Sequence, residues 1–352
     1  AMADTETRIR EPYDFARYPN SNAIDRGSAT GHHRFKGRSG RIVCELTSLS
    51  PFLIMHSEHR AGSSRTDMGT FMRSEETDDY IIPGTSLKGL IRSTFEVIYP
   101  SCTAMSGRDT KRLIPSGFGA CSSRKNACPA CRTFGFLSGG TVHKGQVNIG
   151  TARSIERPPS GKDQQLIALF GPNPDTPNYR NGRDAAGRKF YFHQSSVQHA
   201  RSSNDEKYGP WVRPLDAGAR FEFTVDFENL SDKELNALVA SLVLADDVTV
   251  DDTGDTVDVR HKLGYGKPAG LGSVAIRITE VTLRPKGRDA YASFGASPTV
   301  LREESDDLSE WVHQRQQLHF GSPTPSVKDL MRILRYPPPE DVTYEYDKGE
   351  YA

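Results

Sequence analysis

Four of the five cysteines fall within one stretch of thirty residues, and this cluster limits what the chain can fold into more than any other feature. Cys128 and Cys131 form a tight CPAC knuckle with the two-residue spacing that tetrahedral Zn²⁺ favours. The stretch lacks a long apolar run and cannot build its own core, so a bound metal would supply its folding energy. We therefore predict a structural Zn²⁺ site, closed to catalysis, with the ligands Cys102, Cys121, Cys128 and Cys131.

Two alternatives to this site remain open. His143 would replace Cys102 as the fourth ligand, and the Cys128–Cys131 pair alone has the spacing of a redox-active dithiol. No stretch approaches about 18 apolar residues and no secretory signal is visible, so we expect no membrane span and no export. A cytoplasmic location is therefore expected, where clustered cysteines favour metal binding over disulfides.

The hydrophobic pattern predicts an α+β fold. Apolar alternation marks a strand within Gly40–Met55, and apolar residues recur at helical spacing from Leu87 to Ile98, where Thr85 or Ser86 would cap the helix. Further strands are predicted at 146–155, 189–194, 220–228 and 274–283, and Ser231 and Glu234 predict a capping-box helix before the last of them. This order is a split βαβ plan, an RRM-like or ferredoxin-like core with large loop insertions.

Composition shifts along the chain suggest its domain organisation. Residues 1–39 form a polar N-terminal arm, residues 40–285 form the RRM-like domain, and residues 286–352 form a C-terminal extension that is partly helical. Within the domain we predict a long thumb-like loop at 56–79 and the zinc insertion, or lid, at 100–140.

The charges balance, with 45 basic and 45 acidic residues. This sum gives no global sign of nucleic-acid binding, but the charges segregate along the chain. Lys88, Arg92, Lys262 and Lys267 accompany a helix start and a glycine-rich loop, whereas acid concentrates at 246–258 and 303–307. Zero net charge is therefore a cancellation, and it limits nonspecific attraction without excluding a basic groove.

Two of these features have the chemistry of an anion site. The helix start at Pro83–Lys88 offers free N–H groups, hydroxyls and a lysine. The loop His261–Ser273 lets backbone N–H groups approach phosphates, and it fits neither a Walker loop nor a dinucleotide fingerprint. A turn-rich hairpin connection is the structural alternative for the loop.

The polar loop at 56–79 mixes acids, bases and cations. An acid near an RNA 2′-hydroxyl would orient that group or hold a metal for phosphodiester cleavage, whereas a solvated surface loop is the plainer interpretation. The residues concerned are His56, Glu58, His59, Arg60, Arg65 and Asp67.

Three stretches together resemble the RAMP superfamily, the repeat-associated proteins of CRISPR systems. Ile82–Arg92 (IPGTSLKGLIR) resembles that family's helix motif, Cys128–Gly135 (CPACRTFG) its zinc-lid exit, and Gly264–Ser273 (GYGKPAGLGS) its C-terminal glycine-rich loop. They also occur in the family's order and spacing. Pro12–Phe15 (PYDF) and Gly187–Gln194 (GRKFYFHQ) look like one type III RAMP subfamily. The resemblance covers roughly residues 12–285.

This resemblance implies a guide-RNA-binding subunit of a type III CRISPR effector, whose partners are guide RNA, target RNA and other effector subunits. In such complexes an aspartate in the loop after the first strand cuts target RNA with a divalent metal such as Mg²⁺. That residue would be Asp67, with Asp78 or Asp79 as alternatives. The implied RNA-binding residues are Ser86, Lys88, Arg92, Lys262, Gly264, Gly266, Lys267 and Gly270.

Other functions remain open alongside this one. A RAMP that processes guide-RNA precursors without a metal would use a histidine such as His56, His59 or His193 as general base. A purely structural subunit would bind RNA without cleavage, and a zinc-stabilised domain would have no RNA role. The strands carry no aromatic ribonucleoprotein motif, so RNA contact through backbone and loops is expected.

Overall fold

A computed structural model describes residues 8–32, 36–56, 61–103, 111–138, 140–171, 177–250, 256–285 and 297–346. The α-helices in this part of the chain are α1 Gly84–Ile98, α2 Pro129–Phe134, α3 Ser203–Tyr208, α4 Asp232–Val243, α5 Asp306–Phe320 and α6 Pro325–Ile333. The 3-10 helices are Ser21–Ala23, Arg65–Asp67, Arg124–Asn126, Pro177–Tyr179 and Lys267–Ala269.

The strands, in chain order, are β1 Arg8–Arg10, β2 Tyr13–Ala16, β3 Arg38–Ser48, β4 Gly69–Thr70, β5 Ile81–Ile82, β6 Gly135–Ser138, β7 Thr141–Lys144, β8 Val147–Ile149, β9 Ala152–Ser154, β10 Gln164–Gln165, β11 Arg180–Asn181, β12 Asp184–Ala185, β13 Arg188–Tyr191, β14 Trp211–Arg213, β15 Arg220–Leu230, β16 Ala245–Thr249, β17 Thr256–Val259, β18 His261–Lys262, β19 Ser273–Leu283, β20 Thr299–Arg302, β21 Arg335–Tyr336 and β22 Val342–Tyr344.

The core is an antiparallel sheet backed by two helices, which confirms the predicted α+β class. Its strands lie in the order β19-β3-β15, and β15 then pairs with both β8 and β9. In chain order the core runs β3, α1, β8 and β9, β15, α4, β19, so the first strand lies between the last and the third. This is the ferredoxin-like arrangement of a split βαβ unit.

Apolar alternation determines which side of the sheet the helices cover. Ile42, Cys44 and Leu46 of β3 are fully buried, as are Leu87 and Ile91 of α1. Helix α4 packs against α1 and begins at the predicted capping box, in which the Ser231 hydroxyl accepts from the Glu234 N–H and the Glu234 carboxylate accepts from the Ser231 N–H. That prediction is confirmed.

The start of α1 differs from the expectation. Pro83 is the N-cap residue, the helix begins at Gly84, and no side chain caps it, so neither Thr85 nor Ser86 has the predicted capping role. Proline fixes its own φ near the value that a helix start requires, and the chain enters the helix without a hydroxyl acceptor. Ser86 is thereby left inside the first turn.

The opposite side of the sheet is polar. Glu45 on β3 accepts hydrogen bonds from Arg220 on β15 and Arg277 on β19, with closest N–O distances of 2.7 and 3.0 Å. Along the central strands β3, β15 and β19 this side also carries Arg41, Thr47, Glu222, Thr224 and Asp226. Among the described residues of these three strands, this side carries no aromatic ring on which a base could stack.

Both ends of the described chain join the molecule through short strands. Strand β1 pairs in parallel with β22, and β2 pairs antiparallel with β13, so the N-terminal arm is more ordered than its polar composition suggests. Helices α5 and α6 lie in the predicted C-terminal extension. None of the helices within the described residues has the length and apolar character needed to cross a bilayer.

Candidate metal site and nucleic-acid interface

The four clustered cysteines converge on one point. Their Sγ atoms all lie within 4.8 Å of one another, and all four residues are buried. The Sγ of Cys102 lies 3.5 Å from that of Cys131 and 3.5 Å from that of Cys128, which is far beyond a disulfide bond. Zinc–sulfur bonds of about 2.3 Å in a tetrahedron require sulfur–sulfur distances of about 3.8 Å, so the donor set fits a zinc ion.

The surroundings of these sulfurs also fit an anionic metal–thiolate group. The Arg26 guanidinium donates to Cys121 Sγ at 3.1 Å, the Cys128 N–H donates to the same sulfur at 3.2 Å, and Arg92 donates to Cys131 Sγ at 3.6 Å. Hydrogen bonds from the other three thiols, Cys102 first, lower the pKa of the Cys121 thiol well below its ordinary value. Four thiolates around one Zn²⁺ carry two negative charges, which Arg26 and Arg92 would balance.

His143 lies outside this group. Its ring nitrogen Nε2 is 3.2 Å from the carbonyl oxygen of Arg132, on β7 of the hairpin that follows the cysteines. The alternative ligand set with His143 in place of Cys102 is therefore not the one that the structure assembles. The four-cysteine group could bind a metal such as zinc.

A second feature is a cavity of about 250 Å³ between α1, β13 and the glycine-rich loop. Ser86 and Gly89 line it from the helix, Tyr191 lines it from β13, and the cations Lys189, Lys262 and Lys267 project from β13 and the loop. No carboxylate is among the lining residues. A cavity lined by three lysines and no acidic residue has the composition expected of a phosphate site.

Each of these three ammonium groups donates a hydrogen bond to an uncharged oxygen of the protein. Lys262 Nζ donates to the carbonyl of Leu271 at 2.7 Å, and Lys267 Nζ donates to the carbonyl of Gly264 at 2.6 Å. Lys189 Nζ donates to the Tyr179 hydroxyl. Since each ammonium has three N–H donors, further donors remain for a ligand.

Burial makes the charged form of each lysine costly. It lowers the pKa of Lys262 well below the ordinary value, with the neighbouring Lys267 as the second cause, and it lowers the pKa of Lys267. The pKa of Lys189 falls to about 8 for the same reason, although Glu11 acts in the opposite direction. An anion bound in the cavity would favour the charged form of these lysines and so offset the cost of burial.

Lys189 is the residue that sequence reasoning missed. The sequence predicts a strand from Lys189 to Gln194 but identifies no side chain in it as a binding residue. The Lys189 Nζ lies 3.6 Å from the centre of the Tyr13 ring and 5.0 Å from those of Tyr179 and Tyr191. The available sequence signal for Lys189 is a lysine within a strand of alternating aromatic residues, and this pattern is a weak indication of a binding residue.

The other implied RNA-binding residues lie elsewhere. The Arg92 guanidinium donates to Glu96 and to the Gly135 carbonyl besides Cys131, so it faces the cysteine group. Lys88 is half-buried on α1 outside the cavity lining, where burial and then Arg92 lower its pKa.

The glycines of the loop have structural explanations. Gly264 has φ +91°, and a Cβ there would lie 2.3 Å from the Leu53 carbonyl oxygen, while Gly270 has φ +94° and lies against Ser196. Gly266 also has a positive φ. Many of the loop's N–H groups donate hydrogen bonds within the protein, so these groups are not available to a phosphate. These donors belong to Leu263, Tyr265, Ala269, Gly270, Leu271 and Gly272.

The predicted catalytic residue Asp67 is exposed. Asp67 ends the 3-10 helix Arg65–Asp67, and its carboxylate makes no ion pair within the described residues. Asp78 pairs with Arg73 at 2.8 Å, and Asp79 lies 3.5 Å from Arg153. Apart from the cysteines, the described part of the chain contains no group of three or more metal-ligating side chains. Glu58, His59 and Arg60 lie outside the described residues.

His193 has a structural place. It is buried, its Nδ1 lies 2.8 Å from the Ser273 hydroxyl, and its Nε2 lies 3.0 Å from the Arg260 carbonyl oxygen. Burial, followed by the charge of Lys262, lowers its pKa to about 3. Both ring nitrogens are engaged, so this histidine does not suit the role of an accessible general base.

A family model described as the RAMP superfamily matches residues 45–275, which is more than half of the chain and includes both the cysteine group and the lysine cavity. No curated protein matches the chain.

Proposed function

Because the chain belongs to the RAMP superfamily of CRISPR-associated RNA-binding proteins, we propose that it is a guide-RNA-binding subunit of a type III CRISPR effector. Members of this family generally bind CRISPR RNA and other effector subunits. Guide RNA, target RNA and neighbouring subunits are the partners that this proposal implies.

The cavity with Lys189, Lys262 and Lys267 is the observation that carries the proposal. Its cations come from two elements that are distant in sequence, and Ser86 adds a hydroxyl from the first turn of α1. Phosphate contacts fix the position of a nucleic acid without reading its sequence, which is what a subunit holding many different guides needs.

The pairing of β2 with β13 supports the type III assignment. The two segments that look like one type III subfamily, Pro12–Phe15 and Gly187–Gln194, contain these strands, and Tyr13 pairs with Tyr191 while Phe15 pairs with Lys189. Residues that are far apart in the sequence therefore form one structural unit at the edge of the cavity.

The test is the salt dependence of binding to a single-stranded RNA that carries the repeat sequence. Each phosphate-contacting lysine contributes about 0.7 to the slope of log affinity against log salt for single strands. We expect Lys189→Met and Lys267→Met each to reduce the slope by about that amount. Lys233→Met, an exposed lysine on α4, is the matched control. Slopes equal to wild type in both cavity variants would contradict the proposal.

We further propose that Asp67 cleaves bound target RNA with Mg²⁺. Its exposed carboxylate, free of ion pairs within the described residues, supports this role. Mg²⁺ is commonly held by one or two carboxylates together with substrate phosphates, so a single aspartate is compatible with a site that the RNA completes.

Cleavage of a guide-matched RNA tests this role. Asp67→Asn should abolish cleavage without weakening RNA binding, and EDTA should have the same effect on wild type. Asp78→Asn and Asp79→Asn test the alternative positions, and the exposed Asp184→Asn is the control. Chelator-resistant cleavage of repeat RNA would instead favour a metal-independent processing enzyme, and binding without cleavage would favour a structural subunit.

A further inference from the structure

We propose that Arg188 is a positioning residue that connects the cysteine group to the lysine cavity, so that metal binding and RNA binding strengthen each other. The inference rests on the proposed function, since it assumes that RNA occupies the cavity. It concerns how the cavity is held in shape.

Arg188 ties β13 to the segment that contains the first cysteine. Its side chain is 12% exposed, and its guanidinium donates to the carbonyl oxygens of Ser101 at 2.8 Å and Cys102 at 2.9 Å. The same guanidinium donates to the carboxylate of Glu96 on α1. One side chain thus joins β13, α1 and the backbone of a predicted metal ligand.

Glu96 extends this connection to the opposite side of the cysteine group. Its side chain is 10% exposed, and its second carboxylate oxygen accepts from Arg92 Nε at 2.8 Å. Arg92 in turn donates to Cys131 Sγ. The series Cys102, Arg188, Glu96, Arg92 and Cys131 therefore begins and ends at the cysteine group. A metal that fixes Cys102 relative to Cys131 also fixes both arginines around Glu96.

Lys189, the residue next to Arg188, links these contacts to the cavity. Arg188 contacts α1 and the cysteine segment, whereas Lys189, the next residue along β13, lines the cavity. Strand β13 pairs with the short β2 alone within the described residues, so few backbone hydrogen bonds fix its position. The Arg188 contacts add to that positioning, and a shift of Arg188 would move Lys189 with it.

The experiment measures zinc affinity by equilibrium competition with a chelator, with and without saturating single-stranded RNA. Coupling between two sites is reciprocal and commonly amounts to between about fivefold and a hundredfold. We expect RNA to raise the zinc affinity of the wild-type protein at least about fivefold. In Arg188→Lys, which keeps the charge but cannot reach Glu96 and two carbonyls together, the increase should disappear.

Arg183→Lys, an exposed arginine in the turn between β11 and β12, is the matched control and should retain the increase. Glu96→Gln replaces one of the two acceptor oxygens with an NH2 donor, so the side chain can no longer accept from both arginines, and this change serves as the second variant if Arg188→Lys does not fold. One bound zinc per chain and an unchanged thermal midpoint show that a variant is intact.

Three outcomes would overturn the inference. An RNA-dependent increase that persists in both variants would mean that RNA covers the metal site directly. RNA binding by the wild type without any change in zinc affinity would mean that the two sites are independent. Failure of the wild type to bind RNA at all would instead remove the proposed function on which the inference rests.

Discussion

The positions of three lysines indicate an anion site in this protein, whereas the net charge of the chain does not. Lys189, Lys262 and Lys267 share a cavity without a carboxylate, and burial lowers the pKa of each. An ammonium group in water has no such preference for a partner, because solvent already stabilises it. The cavity therefore has the composition of an anion site even though the chain as a whole is neutral.

RNA binding should weaken as the pH rises through the pKa of Lys189, which lies near 8. A phosphate favours the protonated lysine, so protein without RNA must take up a proton on binding when Lys189 is neutral. Between pH 7 and pH 9 we expect affinity to fall about tenfold. Isothermal titration in buffers of different ionisation enthalpy would report the proton uptake directly.

Lys189→Met is the control for this prediction. It should bind RNA more weakly at pH 7 and show a much flatter pH profile, whereas Lys233→Met should match the wild type. A profile that stays steep in Lys189→Met would assign the titration to another group.

The sequence predicted part of the cavity and could not predict the rest. Ser86, Lys262 and Lys267 line the cavity as side chains next to a helix start and a glycine-rich loop. Arg92 donates to Glu96, four residues along the same helix, and to Cys131, which is close in space. These two contacts direct its guanidinium away from the cavity. A lysine opposite a distant strand, such as Lys189, becomes informative only after the chain has folded.

At the level of secondary structure, the hydrophobic periodicity of the sequence was sufficient to predict the strands and helices of the core. The alternation in β3 and β15 and the capping box of α4 all have direct physical causes in adjacent residues. The short strands of the insertions, such as β10 and β14, consist of two or three residues whose pairing depends on partners far along the chain. Local patterns do not contain that information.

Glu45 should make the central sheet sensitive to acid. The hydrogen bond from Arg220, followed by that from Arg277, lowers its pKa to about 2, below its ordinary value near 4.5. This carboxylate therefore stabilises the fold fully above about pH 4.5 and progressively less as the pH falls towards 2, by about 2–3 kcal/mol in total. Glu45→Gln should lose that amount at pH 7, as measured by denaturant unfolding.

The difference between wild type and Glu45→Gln should shrink as the pH approaches 2. Glu222 lies opposite Glu45 on β15 and is exposed, so Glu222→Gln is the matched control and should change stability little. A constant difference from pH 7 to pH 2 would show that Glu45 acts through packing rather than charge.

The cysteine segment should depend on its metal. Cys131→Ser is expected to lose zinc and to expose residues 111–138 to proteolysis, while the core sheet remains folded, because that segment has little apolar core of its own. Metal analysis and limited proteolysis would measure both effects. Cys44→Ala, which removes the buried cysteine of β3, should keep its zinc. Full zinc content in Cys131→Ser would contradict the four-cysteine site.

Across the whole molecule, the N-terminal arm is held by the C-terminal extension. The Asp329 side chain of α6 is 8% exposed and accepts from the Arg17 guanidinium at 2.6 Å and from the Arg17 backbone N–H at 3.0 Å. Arg332 donates to Asp14 at 2.7 Å. The sequence predicted helices here but gave no sign of these contacts, since the partners lie more than three hundred residues apart.

Asp329→Asn should loosen this arm. Hydrogen bonds to a charged group contribute about 1.5–3 kcal/mol, so we expect a loss of unfolding free energy within that range. Cleavage by a protease within residues 8–32 should also become faster. The exposed Asp341→Asn is the control, and equal cleavage rates in both variants would show that the arm is held by other contacts.

The parallel pairing of β1 with β22 also has a mechanical consequence. Arg8, Ile9 and Arg10 lie beside Val342, Thr343 and Tyr344 in the same direction. Tension applied from the Arg8 side and the Tyr344 side would slide the two strands past each other, and all their hydrogen bonds would bear the load together. An antiparallel pair pulled in this way would open one bond at a time. Tension would have to shear this pair before it reached β2, β13 and the lysine cavity.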